Sequence, residues 1–177
     1  MSDSRSNADV LLMSGSPSDL DLVLECEGAL AELEIKSEIR VASAHRTPEL
    51  CAQISRDAEK QGFKILITFA GMAAHLGGVA AAHTRLPVIQ VPVQSGALNG
   101  IDAALASLQM PPGMPLAAVG INASRNAALL AARILALSSP ELRDRLSRLE
   151  EKGREHYAPE IIARQVEEKR RERRGGK

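Results

Sequence analysis

The chain has no tryptophan, one tyrosine and two phenylalanines among its 177 residues. Its core must therefore be built from Ala, Val, Leu and Ile, and a site that grips its ligand by ring stacking, as a flavin's isoalloxazine requires, is disfavoured. Cysteine is almost as scarce. Cys26 and Cys51 fall in predicted helices without metal-ligand spacing, and two thiols cannot make a disulfide framework, so both are expected as reduced residues in or near the core. No sign of charge dominates. The 22 basic and 22 acidic side chains cancel, which removes the overall positive field of a nucleic-acid or membrane-surface binder. No apolar run reaches the ~18 residues of a membrane span, and residues 1–6 lack the apolar segment of a signal peptide. The expectation is a soluble, cytoplasmic protein whose partner is a small polar metabolite.

What the chain does have is a repeated alternation of short apolar runs and helical periodicity. Val10–Met13 is a strand, followed by Leu20, Val23, Leu24, Ala29, Leu30 and Leu33 at helical spacing. Ile35–Ala42 reads as a second strand and Pro48–Gln61 as a helix stopped by Gly62. Lys64–Phe69 is a nearly continuous apolar third strand, the pattern of a parallel strand buried on both faces. Pro87–Val93 is the fourth and Leu116–Ile121 the fifth, separated by a helix over Ile101–Leu108 and a Pro-rich loop over Met110–Pro115. Ala127–Leu137 is a further helix, and Pro140 opens another. From about Glu150 the chain turns strongly charged, with Tyr157, Ile161, Ile162 and Val166 as its few apolar anchors. Interspersed acids make this stretch mixed rather than a basic nucleic-acid tail. Five strands alternating with helices predict an α/β fold of one domain. Its parallel sheet is covered on both faces, residues 1–8 are disordered, the core occupies 9–150, and 151–177 form a helical tail that frays at its end.

In such a sheet the polar turns after the strands share one edge, and that edge is where ligands bind. The first turn is Gly15-Ser16-Pro17-Ser18-Asp19. Its hydroxyls, its glycine and a helix N-terminus favour a phosphate. Asp19 reads either as an N-terminal helix residue or as an acceptor for ribose hydroxyls. The second turn, Ser43-Ala44-His45-Arg46-Thr47-Pro48, sets an imidazole able to exchange protons near neutral pH beside a guanidinium suited to phosphate or carboxylate. Thr47 reads as the N-cap of the next helix and Pro48 as its first residue. The third, Ala70-Gly71-Met72-Ala73-Ala74-His75-Leu76-Gly77-Gly78, is a loop of small residues carrying a second histidine. The fourth holds Ser95. Taken singly, each turn has an ordinary structural explanation as a cap or a surface charge. Together they predict a pocket made from Ser16, Asp19, His45, Arg46, His75 and the Ser95 turn, suited to proton transfer on an anionic substrate.

The same turns closely resemble the PurE family of purine biosynthesis, with Gly15–Asp19, Ser43–Pro48, Ala73–Leu76 and Asn126–Ala131 matching its motifs in order and spacing over roughly residues 9 to 150. The resemblance implies a three-layer flavodoxin-like fold, a homo-octamer, and conversion of N5-carboxyaminoimidazole ribonucleotide to 4-carboxyaminoimidazole ribonucleotide without metal or organic cofactor. Carried over by position, Ser16, Asp19 and Arg46 bind the nucleotide and His45 is the general acid/base. His75 joins His45 as catalytic, and Gly15, Ser18, Ser43, Ala44, Gly71, Ala73, Ala74, Leu76 and Ser95 complete the substrate-binding set. Met72 stands where many bacterial members of that family have Gly, and Gly77 where they have Pro. A related branch carboxylates aminoimidazole ribonucleotide directly, with a lysine after the histidine of the second turn and no Ala-Ala-His loop; Arg46 and His75 place the chain with the mutases. A non-catalytic flavin- or nucleotide-binding module is the reading from another class, and a yellow protein with a flavin absorbance band would favour it.

Overall fold

The structure is a computed structural model and describes residues 5–175. Contacts divide the chain into two compact units, one up to Leu135 and one from Ala136, so the expected limit near residue 150 falls inside a helix of the second.

In the first unit β1 (Val10–Ser14), β2 (Ser37–Val41), β3 (Ile65–Gly71), β4 (Val88–Val93) and β5 (Ala117–Ala118) form one sheet in the order β2-β1-β3-β4-β5, all parallel. This is the doubly wound, flavodoxin-like order. Side chains alternate across the central strands, so each strand feeds two cores. Leu11, Met13, Leu66 and Val88 pack with Cys51, Ile54 and Ala58 of α2 (Pro48–Ala58), Leu76 and Ala80 of α3 (Leu76–His83) and Ala103 of α4 (Ile101–Leu108). The alternate set, with Leu12, Ile67 and Phe69, faces the side of α1 (Leu20–Ala31) and α5 (Ser124–Leu135), whose small buried residues Ala127, Ala128, Ala131 and Ala132 let those two helices pack closely. Each large aliphatic side chain buried this way is worth roughly 1.5–3 kcal/mol. Cys26 and Cys51 are fully buried, and burial pushes their thiols up to about 12 and about 11.

The sheet is narrower at its ends than the sequence predicts. β5 has two residues instead of six, because Pro92 has no N–H to offer the strand beside it and Asn122 turns the chain away at φ +56. β2 is trimmed to Ser37–Val41 after Glu34 adopts φ +59. Helix α2 ends at Ala58 rather than Gln61, closed by Gly62 at φ +98 and a Phe63 N–H bond to Ala58 O of 3.1 Å. The largest difference is α3. Leu76, Gly77 and Gly78 are helical, not loop, and His75 is the residue that opens the helix. Ser6, inside the stretch expected to be disordered, donates its N–H to Gln61 O at 2.7 Å and its hydroxyl to Glu38 at 3.1 Å; residues 1–4 lie outside the described residues.

The second unit holds α6 (Pro140–Glu155) and α7 (Pro159–Gly175). Ser139 caps α6 by accepting the Leu142 N–H at 3.2 Å, with Pro140 at the first helical position and Glu141 in the first turn. α7 continues to Gly175, through most of the stretch expected to fray. No helix among the described residues is long and apolar enough to cross a membrane.

Candidate active site

The four turns predicted to converge do so over the carboxyl ends of β1 to β4, around a cleft of about 350 Å³. Its lining contains every predicted site residue: Gly15, Ser16, Ser18, Asp19, Ser43, Ala44, His45, Arg46, Gly71, Ala73, Ala74, His75, Leu76 and Ser95. A larger groove of about 790 Å³ runs along α1 and the β2 edge, but its titratable side chains are three glutamates and a lysine. The smaller cleft holds both His45 and His75.

The first turn is built to hold its hydroxyls outward. Ser14 Oγ, buried at the end of β1, donates to Ser16 O at 2.6 Å, and Ser16 Oγ accepts the Ser18 N–H at 3.3 Å, capping a short 3-10 turn over Pro17–Asp19. Ser18 Oγ lies 2.8 Å from Ser16 Oγ and 2.9 Å from Asp19 Oδ1. Gly15 N–H is already taken, donating to Phe69 O at 3.0 Å. The polar groups this turn presents are therefore serine hydroxyls and amides of the short turn, and Asp19 is the residue before α1.

The second turn closes on itself. Thr47 Oγ1 accepts the Ser43 N–H at 2.9 Å and donates to Ser43 O at 3.2 Å, while Ser43 Oγ accepts the Arg46 N–H at 3.2 Å. Thr47 occupies the N-cap position as predicted, but its hydroxyl stabilises the turn and makes no cap bond to α2. The outcome is a rigid platform for two side chains. Arg46 is exposed, with its guanidinium free of ion pairs among the described residues, and His45 reaches across the sheet edge.

His45 meets His75. Nε2 of His45 lies 2.7 Å from Nδ1 of His75, and the rings stand edge to face with centroids 4.8 Å apart. β2 and β3 flank β1 in the sheet, so the two imidazoles join above the first turn although 30 residues separate them in sequence. That distance is a hydrogen bond's, with one ring donating and the other accepting according to their tautomers.

Two lining residues were not anticipated: Ala70 at the end of β3, and Met72. Met72 takes the left-handed conformation, φ +54, and its side chain is 59 % exposed. A β-carbon there costs roughly 1–2 kcal/mol relative to glycine. Gly71 beside it has no room for a side chain, since a Cβ would strike Ser95 Oγ and lie 3.0 Å from Val93 O. Ser95 Oγ is itself buried without a hydrogen-bond partner among the described residues, leaving it available to a bound group. Asn122 was also missed. Its Oδ1 accepts the Gln94 N–H at 2.8 Å and its Nδ2 donates to Gln94 Oε1 at 3.3 Å, fixing the turn that carries Ser95. A polar residue just after a strand, on the same sheet edge as the other turns, was its only signal.

The doubly wound α/β fold thus sets two hydrogen-bonded imidazoles, an arginine and a serine turn around one cleft at the carboxyl edge of its sheet. The comparisons carry this further. Residues 9–156 match the family described as AIR carboxylase. The chain is 48% identical over 140 residues to the N5-carboxyaminoimidazole ribonucleotide mutase of Pyrococcus abyssi, covering 79% of this chain and 80% of that one. It is 47% identical over 135 residues to the same enzyme of Mycobacterium tuberculosis, covering 76% and 78%. The crystal structure of Treponema denticola PurE superposes with a TM-score of 0.78 at 32% identity, covering 84% of this chain and 92% of that one. The chain belongs to the AIR carboxylase family, the PurE family of the sequence reading.

Proposed function

We propose that this protein is a mutase of purine biosynthesis. It moves the carboxyl group of N5-carboxyaminoimidazole ribonucleotide from the exocyclic nitrogen to the ring carbon, giving 4-carboxyaminoimidazole ribonucleotide. The observation that carries the reading is the 2.7 Å contact between His45 and His75 in a cleft that also holds Arg46 and the serine turn. Relatives named for this reaction share 42% to 48% identity with the chain.

The residues divide the work. Ser16, Ser18 and Arg46 hold the ribonucleotide phosphate, and Asp19 accepts from its ribose. His45 protonates the exocyclic nitrogen as the carbamate N–C bond breaks and CO2 is released. The ring carbon then attacks the trapped CO2, and His45 takes back the proton that this carbon loses. The proton given in the first step is recovered in the last, so the pair ends as it began. Because His75 Nδ1 can accept from or donate to His45 Nε2, the bond between the rings survives in both senses and supports both roles. Gly71, Ala73 and Ala74 bring backbone close to the substrate and exclude water that would hydrate the CO2. With β3 ending at Gly71 and α3 starting at Leu76, the segment able to act as a lid is confined to residues 72–75.

The reading predicts that 13C placed in the substrate carboxyl stays in the product when unlabelled bicarbonate is present. The carbamate delivers CO2 inside the cleft at high effective concentration, whereas free CO2 must be collected from dilute solution. Extensive washout, with fast carboxylation of aminoimidazole ribonucleotide at low bicarbonate, would assign the protein to the direct carboxylases.

The assembly proposed is a cytoplasmic homo-octamer. Supporting it, Ile101, Leu105 and Leu108 leave the outer face of α4 apolar and exposed, and on α7 Ile162 and Val166 are exposed too. Such faces are costly to leave in water and are expected to be covered by other copies. Light scattering at micromolar concentration should give eight times the chain mass; a stable monomer would refute the proposal.

A further inference from the structure

Along β3 and β4 the fully buried side chains are aliphatic or aromatic with two exceptions, Thr68 and Gln90, each 0% exposed. They are partners in the strand register and point to the same face of the sheet. Thr68 Oγ1 donates to Gln90 Oε1 at 2.7 Å, and Gln90 Nε2 donates to Val91 O at 3.2 Å. Burying an amide under a helix is unfavourable unless it is hydrogen-bonded, and these bonds hold its head in one place. What rests on that head is the first turn of α3. A Cβ at Gly77 would strike Gln90 Oε1 and would come within 3.1 Å of both Gln90 Cδ and Thr68 Oγ1. Glycine at 77 thus leaves the space that the glutamine amide fills, which gives a physical reason for this chain's departure from proline there.

His75 opens the same turn, two residues before Gly77, and its carbonyl accepts the first helical bond, from Val79 N–H at 2.9 Å. The height of that turn above the sheet therefore sets where the His75 ring stands. Its Nδ1 is 2.7 Å from His45 Nε2, and a hydrogen bond at that distance does not survive an outward shift of about 1 Å.

We propose that Gly77, Gln90 and Thr68 act together as positioning residues for His75, holding the start of α3 at the one height that keeps the two imidazoles hydrogen-bonded. The inference rests on the reading of His45 and His75 as the proton-transfer pair, and its test separates the two. The other ionisable groups lining the cleft are Asp19 and Arg46, and neither is altered.

Gly77→Ala should push α3 outward. The protein has four histidines, so 15N-imidazole labelling can resolve the rings of His45 and His75 and the through-hydrogen-bond coupling between their nitrogens. That coupling should be present in the wild type; in Gly77→Ala it should vanish, and kcat should fall by ~10²-fold with KM little changed. Gly77→Ala/Gln90→Ala, which shortens the side chain beneath, should restore both the coupling and most of kcat. Thr68→Val keeps the shape of the strand residue but releases the glutamine head, and should weaken the coupling without loss of helical circular dichroism. That variant decides the matter if Gly77→Ala does not fold. Coupling that persists in Gly77→Ala, or is unaffected in Thr68→Val, would overturn the positioning role. Loss of coupling with unchanged kcat would uphold the positioning role and overturn the catalytic reading of the pair.

Discussion

Replacing His45 with asparagine is expected to leave a folded protein that binds substrate near its normal affinity and turns it over ~10²-fold or more slowly. The fold should survive because His45 sits on a turn fixed by Ser43 and Thr47, and its side chain is exposed rather than packed in either core. Asparagine keeps a polar head in the cleft but has no proton to exchange near neutral pH. The loss should thus appear in kcat, with KM moving little, because the missing interaction belongs to the transition state. Steady-state kinetics on the variant, with circular dichroism as the folding control, decide the question. Turnover near the wild-type rate would remove His45 from the mechanism.

The second large effect is expected at Arg46, and in the other kinetic constant. The backbone that carries Arg46 at the cleft is fixed by its own N–H bond to Ser43 Oγ at 3.2 Å. A charged hydrogen bond to phosphate is worth roughly 1.5–3 kcal/mol. Arg46→Leu should therefore raise KM by about 10- to 100-fold with a much smaller change in kcat, since the phosphate is held alike before and during the reaction. Arg46→Lys should recover part of the loss, because it restores the charge without the planar fork. If Arg46→Leu instead lowered kcat as severely as His45→Asn while leaving KM untouched, the arginine would belong to the chemistry rather than to phosphate binding.

The reading of the sequence succeeded where a boundary has a local cause. Helix α4 lies over Ile101–Leu108 as predicted, bracketed by Gly100 at φ +85 and the prolines after Met110. It failed where the deciding partner is remote. Gly77 looks like a loop residue until Thr68 and Gln90 are seen beneath it, and the run Leu116–Ile121 looks like a full strand until Pro92, which has no N–H, is seen beside it. The cleft was legible as four turns on one edge, since chain order and right-handed crossovers place them there. The contact between His45 and His75 was not. It depends on β1 lying between β2 and β3, and on a helix start that the glycines disguised.

The residues lining the cleft all fall between Gly15 and Ser95, while β5, which covers the outer edge of β4, begins only at Ala117. During synthesis the ribosome therefore delivers every residue of the cleft lining before it delivers the strand that seals the sheet. At ~5–20 residues per second the β4 edge stays open for ~1–5 s. That open edge is a place for another strand to pair wrongly. Pro92, which cuts β5 short in the finished protein, also leaves a gap in the N–H row of the waiting edge, and so makes β4 a poorer template for a stray chain during the seconds when it is bare.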